Sequence, residues 1–152
     1  MNLQISDFSF GEKPTVTRPD PAFLEAMGEE GIRNMVSRFY DLLRQSSIKH
    51  LFKENEEEFE QSKMHSSDFM IQILGGQEYY NQHRGQPKMA SRHAPFKITS
   101  QGRIVWLGCY KTVLEELNAP EELIVSFWNY LNVFSNWMVN YDETKPVFKI
   151  QK

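Results

Sequence analysis

Cysteine is almost missing from this sequence: Cys109 stands alone among 152 residues. One thiol closes no internal disulfide and builds no zinc site from paired cysteines, so the composition points to a reducing compartment or to indifference about redox state, with the cytoplasm the expected location. Long apolar runs are missing too. No stretch of about 18 apolar residues occurs, and residues 1–19 lack the basic segment and apolar run of a secretory leader, so neither a spanning helix nor a membrane partner is predicted. An excess of one charge is also absent. The 17 basic and 20 acidic residues leave a formal charge of -3, which is the wrong sign for tracking phosphates and argues against nucleic acid as a partner. His-Glu-x-x-His, Gly-x-Ser-x-Gly and a Gly-rich phosphate loop do not occur, which removes the commonest metallohydrolase, serine-hydrolase and nucleotide chemistries.

What is present is apolar material in helical register. Hydrophobic residues make up 40% of the chain and aromatics 13%, enough to close one core, and the length fits one domain. Residues 1–19 show no period and are read as an arm, extended or disordered; the folded domain is expected over 20–142 and a tail over 143–152. Asp20-Pro21 is an N-cap followed by proline, predicting a short helix over 21–27 that Gly28 ends. From Glu29, the residues Ile32, Met35, Val36, Phe39, Leu42 and Leu43 recur at three and four, predicting a second helix to about Gln45. A third is expected from Glu56 to Leu74, stopped by Gly75-Gly76, and residues 77–86 read as loop with one helical turn. Pro87 opens a short helix ending at His93, because Pro95 forbids its continuation. Thr99 or Ser100 caps a helix to Asn118, and Pro120 starts a last long one. No strand-like alternation appears, so the fold class is all-α.

Histidines number four, His50, His65, His83 and His93, and none is spaced for a zinc site. His93 differs in context. Arg92-His93-Ala94-Pro95-Phe96 places an imidazole where proline ends a helix, leaving upstream carbonyls without intrahelical donors. The Met89 carbonyl is positioned to accept from that ring and turn its other nitrogen outward. One oriented imidazole with basic neighbours suits an axial haem ligand, because the porphyrin supplies four nitrogens and its propionates favour cations. Arg84, Lys88 and Arg92 are the available counter-charges. Without a Cys-x-x-Cys-His segment, such a haem is held non-covalently.

Over about residues 22–140 the sequence resembles the truncated haemoglobins, within them the second group. The resemblance rests on Arg38-Phe39-Tyr40, Phe52, Gly75-Gly76 with Tyr80, Arg84-Gly85, the Arg92–Phe96 segment, and Trp106, in that order. It implies a two-over-two helical sandwich around haem b (iron protoporphyrin IX), with His93 as proximal iron ligand. It also implies that Tyr40 and Trp106 hydrogen-bond the ligand on the opposite side, and that Phe52 packs on the porphyrin. Counting back from Gly75-Gly76, the family's positions over the iron fall on Ser62 and Ser66, which share a helical face with His65 and Phe69. The serines are expected to hold water or assist Tyr40, and His65 to reach a propionate. Gly28-Glu29 departs from the family's usual glycine pair.

The implied ligands are oxygen, nitric oxide and carbon monoxide. A reversible oxygen binder, with oxygen transport among its roles, is the first functional expectation. A redox enzyme of nitric oxide dioxygenase or peroxidase type is the second, and it requires a separate reductase. A haem-free interaction module is the third. Either a monomer or a homodimer accommodates these readings, with the arm available as a contact.

Overall fold

The structure, a computed structural model, describes residues 1–143. Six α-helices occur in this part: α1 (Ala22–Arg44), α2 (Glu56–Ile73), α3 (Tyr79–Arg84), α4 (Met89–His93), α5 (Ser100–Glu116) and α6 (Glu121–Met138), with a 3-10 turn at Lys49–Leu51. The described residues contain no strand; α1 packs on α2, α5 and α6, and α5 on α6, with Phe69 of α2 meeting Phe134 of α6, in the two-over-two sandwich. The two helices predicted at 21–27 and 29–45 form one element bent at Gly28, whose φ of 72° and ψ of 164° lie outside the helical region. Asp20 caps its start, accepting from the Ala22 amide at 2.9 Å.

Local chemistry explains the other ends. Asn55 Oδ1 accepts from the Glu58 amide at 3.0 Å, and the first turn of α2 carries Glu56, Glu57 and Glu58, which suit the positive end of a helix dipole. At the far end Gly75 takes a φ of 88°. Next to it, a Cβ on Gly76 would lie 2.7 Å from both Ile71 Cγ2 and Leu24 Cδ2, so this close approach of α2 to α1 requires glycine. Thr99 Oγ1 accepts from the Gly102 amide at 3.0 Å and starts α5.

The core is aromatic. Phe39 stacks on Tyr110 at 3.6 Å between centroids, and Phe127 joins both Phe23 and Tyr110. Phe23, Phe39, Phe127 and Tyr110 are all buried, each contributing on the order of 1.5–3 kcal/mol by burial.

Residues 1–19 form neither helix nor strand, yet they are tied to α6. Trp128 Nε1 donates to the Gln4 carbonyl, Asn132 pairs with Ser6, Asn136 donates to the Glu12 carbonyl and Trp137 Nε1 to the Pro14 carbonyl. The arm thus climbs α6, turns at Ser9–Glu12, and returns so that the Asp20 amide meets Ser126 Oγ at 2.8 Å. Leu3 is buried in the common core. Of the tail expected at 143–152, everything from residue 144 onward lies outside the described residues. Among the described residues no helix is long and apolar enough to cross a membrane.

Candidate functional site

A cavity of about 530 Å³, to which all six helices contribute lining residues, lies inside the roughly 300–1,000 Å³ range of small-molecule and cofactor sites. Tyr40, Phe52, Ser62, His65, Ser66, Phe69, Tyr80, Arg84, Arg92, His93, Phe96 and Trp106 all line it. Lys88 does not; it takes a left-handed backbone conformation, φ 42°, ahead of α4. Lining residues that the sequence did not single out for the site include Phe39, His50, Lys53, Ile98, Arg103, Phe134, Ser135 and Met138.

One side of the cavity is set by rings. Tyr40 meets Phe39, Phe52 and Phe59 edge-on, each at 5.7 Å, and Trp106 meets Phe39 at 5.3 Å and 88°. Burial pushes the Tyr40 phenol above its ordinary 10.0, with a hydrogen bond to Ser66 opposing the shift, so the group stays protonated and keeps a proton to donate. The two serines behave differently. Ser66 stands beside the Tyr40 phenol and acts on its proton, whereas Ser62 donates back to the Glu58 carbonyl at 3.1 Å and commits its proton to its own helix.

The opposite side is built on five residues. His93 Nδ1 lies 2.7 Å from the Met89 carbonyl, which only accepts, so the proton sits on Nδ1 and, in the neutral ring, Nε2 keeps a lone pair. Arg92 is anchored in place through two of its nitrogens: Nε donates to the Pro87 carbonyl at 2.6 Å, and Nη2 to those of Arg84 and Gln86 at 2.6 and 3.0 Å. Its guanidinium therefore organises the 84–87 turn. Asn140, beyond α6, donates to the carbonyls of Phe96 at 2.8 Å and His93 at 3.3 Å, pinning the segment that Pro95 interrupts.

The rim carries cations. Arg84 and Lys53 line the cavity and are exposed, and the His50 ring lines it beside them. His65 lines it as well, with a buried Nδ1 that has no hydrogen-bond partner among the described residues. Burial and the nearby Arg84 lower its pKa, while Asp68 opposes them. Asp68 is itself buried, held by Arg33 Nη2 at 2.8 Å and His83 Nδ1 at 2.9 Å. A large space with aromatic walls, an orphaned ring nitrogen, a cationic rim and one oriented imidazole fits a flat, acid-bearing, iron-containing macrocycle.

Similarity to known proteins agrees with this geometry. The family model described as Bacterial-like globin matches residues 22–140. The chain belongs to this family. Its resemblance to the group II truncated haemoglobins holds at the level of whole proteins: a group 2 truncated hemoglobin of Bacillus subtilis is 29% identical over 122 residues, covering 80% of this chain and 90% of that protein. Among solved structures, phosphate-bound Hell's gate globin IV aligns with a TM-score of 0.83 and 32% identity, covering 91% of this chain and 88% of that one. The hemoglobin of Chloroflexus aurantiacus aligns with a TM-score of 0.73 and 31% identity over 78% of this chain and 98% of that one. Coverage of 91% exceeds what residues 22–152 alone supply, so the likeness to the Hell's gate globin reaches into the arm.

Within this truncated haemoglobin, Arg103 is the most informative residue that sequence reasoning passed over. It lies one turn before Trp106 in the apolar register of Leu107 and Val113, and a charge at such a position was the available signal. His50 and Lys53 flank Phe52 and had no signal beyond that proximity.

Proposed function

We propose that the cavity holds a non-covalently bound haem b with His93 Nε2 as its proximal iron ligand, and that the protein binds oxygen and other diatomic gases there. The observation that carries this reading is the 2.7 Å bond from His93 Nδ1 to the Met89 carbonyl, because a ring so fixed in a cavity wall has one nitrogen left for a metal. When bound, the haem supplies an iron centre with an open position for a small gas molecule. The chain supplies the rest.

Tyr40 and Trp106 act as donors toward the ligand. Trp106 suits this role because an indole N–H only donates, and its own has no acceptor among the described hydrogen bonds. Tyr40 suits it because burial keeps its phenol protonated and three surrounding rings hold its orientation. Phe52, Phe69, Tyr80 and Phe96 give apolar and aromatic contact to the macrocycle, while Arg84 and the His65 ring face its acidic edge. Ser66 opposes the upward shift of the Tyr40 phenol, and Ser62 borders the same space. Arg92 serves as a positioning residue for the turn before His93. The family itself supports a haem group and gaseous ligands, and one relative of known structure, from Bacillus subtilis, is a truncated oxygen-avid haemoglobin.

The test is the visible spectrum of the purified chain with added haemin, reduced under carbon monoxide, beside His93→Ala. A sharp haem band in the wild type that is lost or strongly altered in the variant, and recovered with free imidazole, is the expected result. A chain that takes up no haemin overturns the reading and leaves a globin-shaped interaction module.

A further inference from the structure

Arg103 is a charged residue in the cavity wall that the gas-binding reading leaves unused. It is only 5% exposed and lines the cavity together with Ser135 of α6. Its guanidinium donates to Ser135 Oγ at 2.9 Å, to the Ser6 carbonyl at 2.9 Å, and to the carbonyl and Oδ1 of Asn132 at 2.5 and 3.0 Å. Phe8 of the arm lies over its plane at 5.3 Å. Every one of these acceptors is neutral.

Neutral acceptors satisfy the N–H groups of a guanidinium without cancelling its net charge. Among the described residues no ion pair within 4.0 Å joins Arg103 to a carboxylate; Asp7, exposed on the arm, acts on it at longer range. Arginine does not solve the cost of burial by losing its proton, so the charge persists. Two pieces of the fold keep it in place. Asn132 and Ser135 hold it from α6, and the arm closes over it through Ser6 and Phe8.

We propose that Arg103 is a potential-setting residue: a buried positive charge, hydrogen-bonded to neutral acceptors, that the N-terminal arm fixes in the cavity wall, where it favours the ferrous over the ferric state of the haem. This rests on the haem reading above. The reaction concerned is a one-electron reduction, ferric to ferrous, in which the electron comes from a dithionite-class reductant, no covalent bond forms or breaks and no proton need move. A fixed positive charge in a medium of low effective dielectric stabilises the state that carries one less positive charge, and it does so without touching the iron. The neighbouring Asp7 works in the opposite direction, weakened by solvent.

Spectroelectrochemical titration of the haemin-loaded full chain tests this at low ionic strength. Arg103→Met is expected to lower the midpoint potential, Arg103→Lys to keep it close to that of the wild type, and Asp7→Asn to raise it. A midpoint in Arg103→Met equal to that of the wild type overturns the proposal. So does an equal drop in Arg103→Lys, which would assign the effect to the forked hydrogen bonds. If Arg103→Met does not fold, the exposed Asp7→Asn decides: a midpoint that stays level or falls overturns the proposal. Failure to take up haemin strikes the haem reading, whereas flat potentials in loaded protein strike this inference alone.

Discussion

The two sides of the cavity are made in different ways. Tyr40 and Trp106 stand on long helices, α1 and α5, whose inner faces are buried and whose rings interlock around Phe39. His93 stands on α4, five residues long with none buried, where main-chain carbonyls of residues 84–96 are gripped by Arg92, His93 and Asn140. The first side is fixed by volume and the second by directed bonds. Close packing resists any change of shape, whereas a short hydrogen-bonded segment opens locally without unfolding the rest.

The sharpest way to break the first side is to empty it. Phe39→Ala is expected to cost about 3–5 kcal/mol, the usual price of truncating a buried phenylalanine, as a lower urea midpoint with unchanged slope. Next in size is Tyr40→Phe, which keeps the volume and removes one donor. Losing a charge-assisted bond of ~1.5–3 kcal/mol should accelerate oxygen dissociation at least tenfold in stopped-flow measurements, and an unchanged rate would remove Tyr40 from the ligand network.

The second side should respond locally. In Arg92→Met the amides of Arg92, Ala94 and Phe96, bonded to the carbonyls of Lys88, Ser91 and His93, are expected to exchange about tenfold faster, while global stability moves by no more than about 1 kcal/mol. Equal effects on exchange throughout the chain would show that α4 belongs to the same cooperative unit as α1 and α5.

The smallest effect is a pH dependence. His65 has its pKa lowered from 6.5 by burial and by Arg84, so the unfolded chain takes up its proton more readily than the folded one. Stability from this group is therefore complete above 6.5 and declines as pH falls through that value toward the folded pKa. Between about pH 7 and pH 5 the thermal midpoint of the wild type should fall more steeply than that of His65→Gln.

The same contrast governs what could be read before the structure. Helices α1, α2, α5 and α6 were legible because they bury one face, and caps such as Asp20 and Thr99 announce their starts. The His93–Met89 bond was legible because Pro95 dictates where α4 ends and which carbonyls lack donors. Residues 77–86 were harder. They are polar, only Tyr80 is buried there, and α3 is short, so periodicity had little to register. Arg92 read as a counter-charge, whereas three carbonyls absorb two of its nitrogens, and Lys88 read as another although it stands outside the cavity lining. Arg103 offered one signal, a charge in an apolar helical register, but its partners lie in residues 1–19 and on α6, far away in sequence, so its place in the site was not legible.

The arm also says something about how its own sequence is free to change. Trp128, Asn136, Trp137 and Arg103 all reach main-chain carbonyls of the arm, those of Gln4, Glu12, Pro14 and Ser6. Since every residue carries such a carbonyl, the instructions for docking are written mainly on α5 and α6. Leu3, Ile5 and Val16 against the core, buried Pro19, Ser6 against Asn132, Phe8 over Arg103 and Lys13 over Trp137 are constrained, while the other arm side chains can drift with the path intact. Homologous arms are then better sought by the tryptophans and asparagines that receive them than by alignment of the arms themselves.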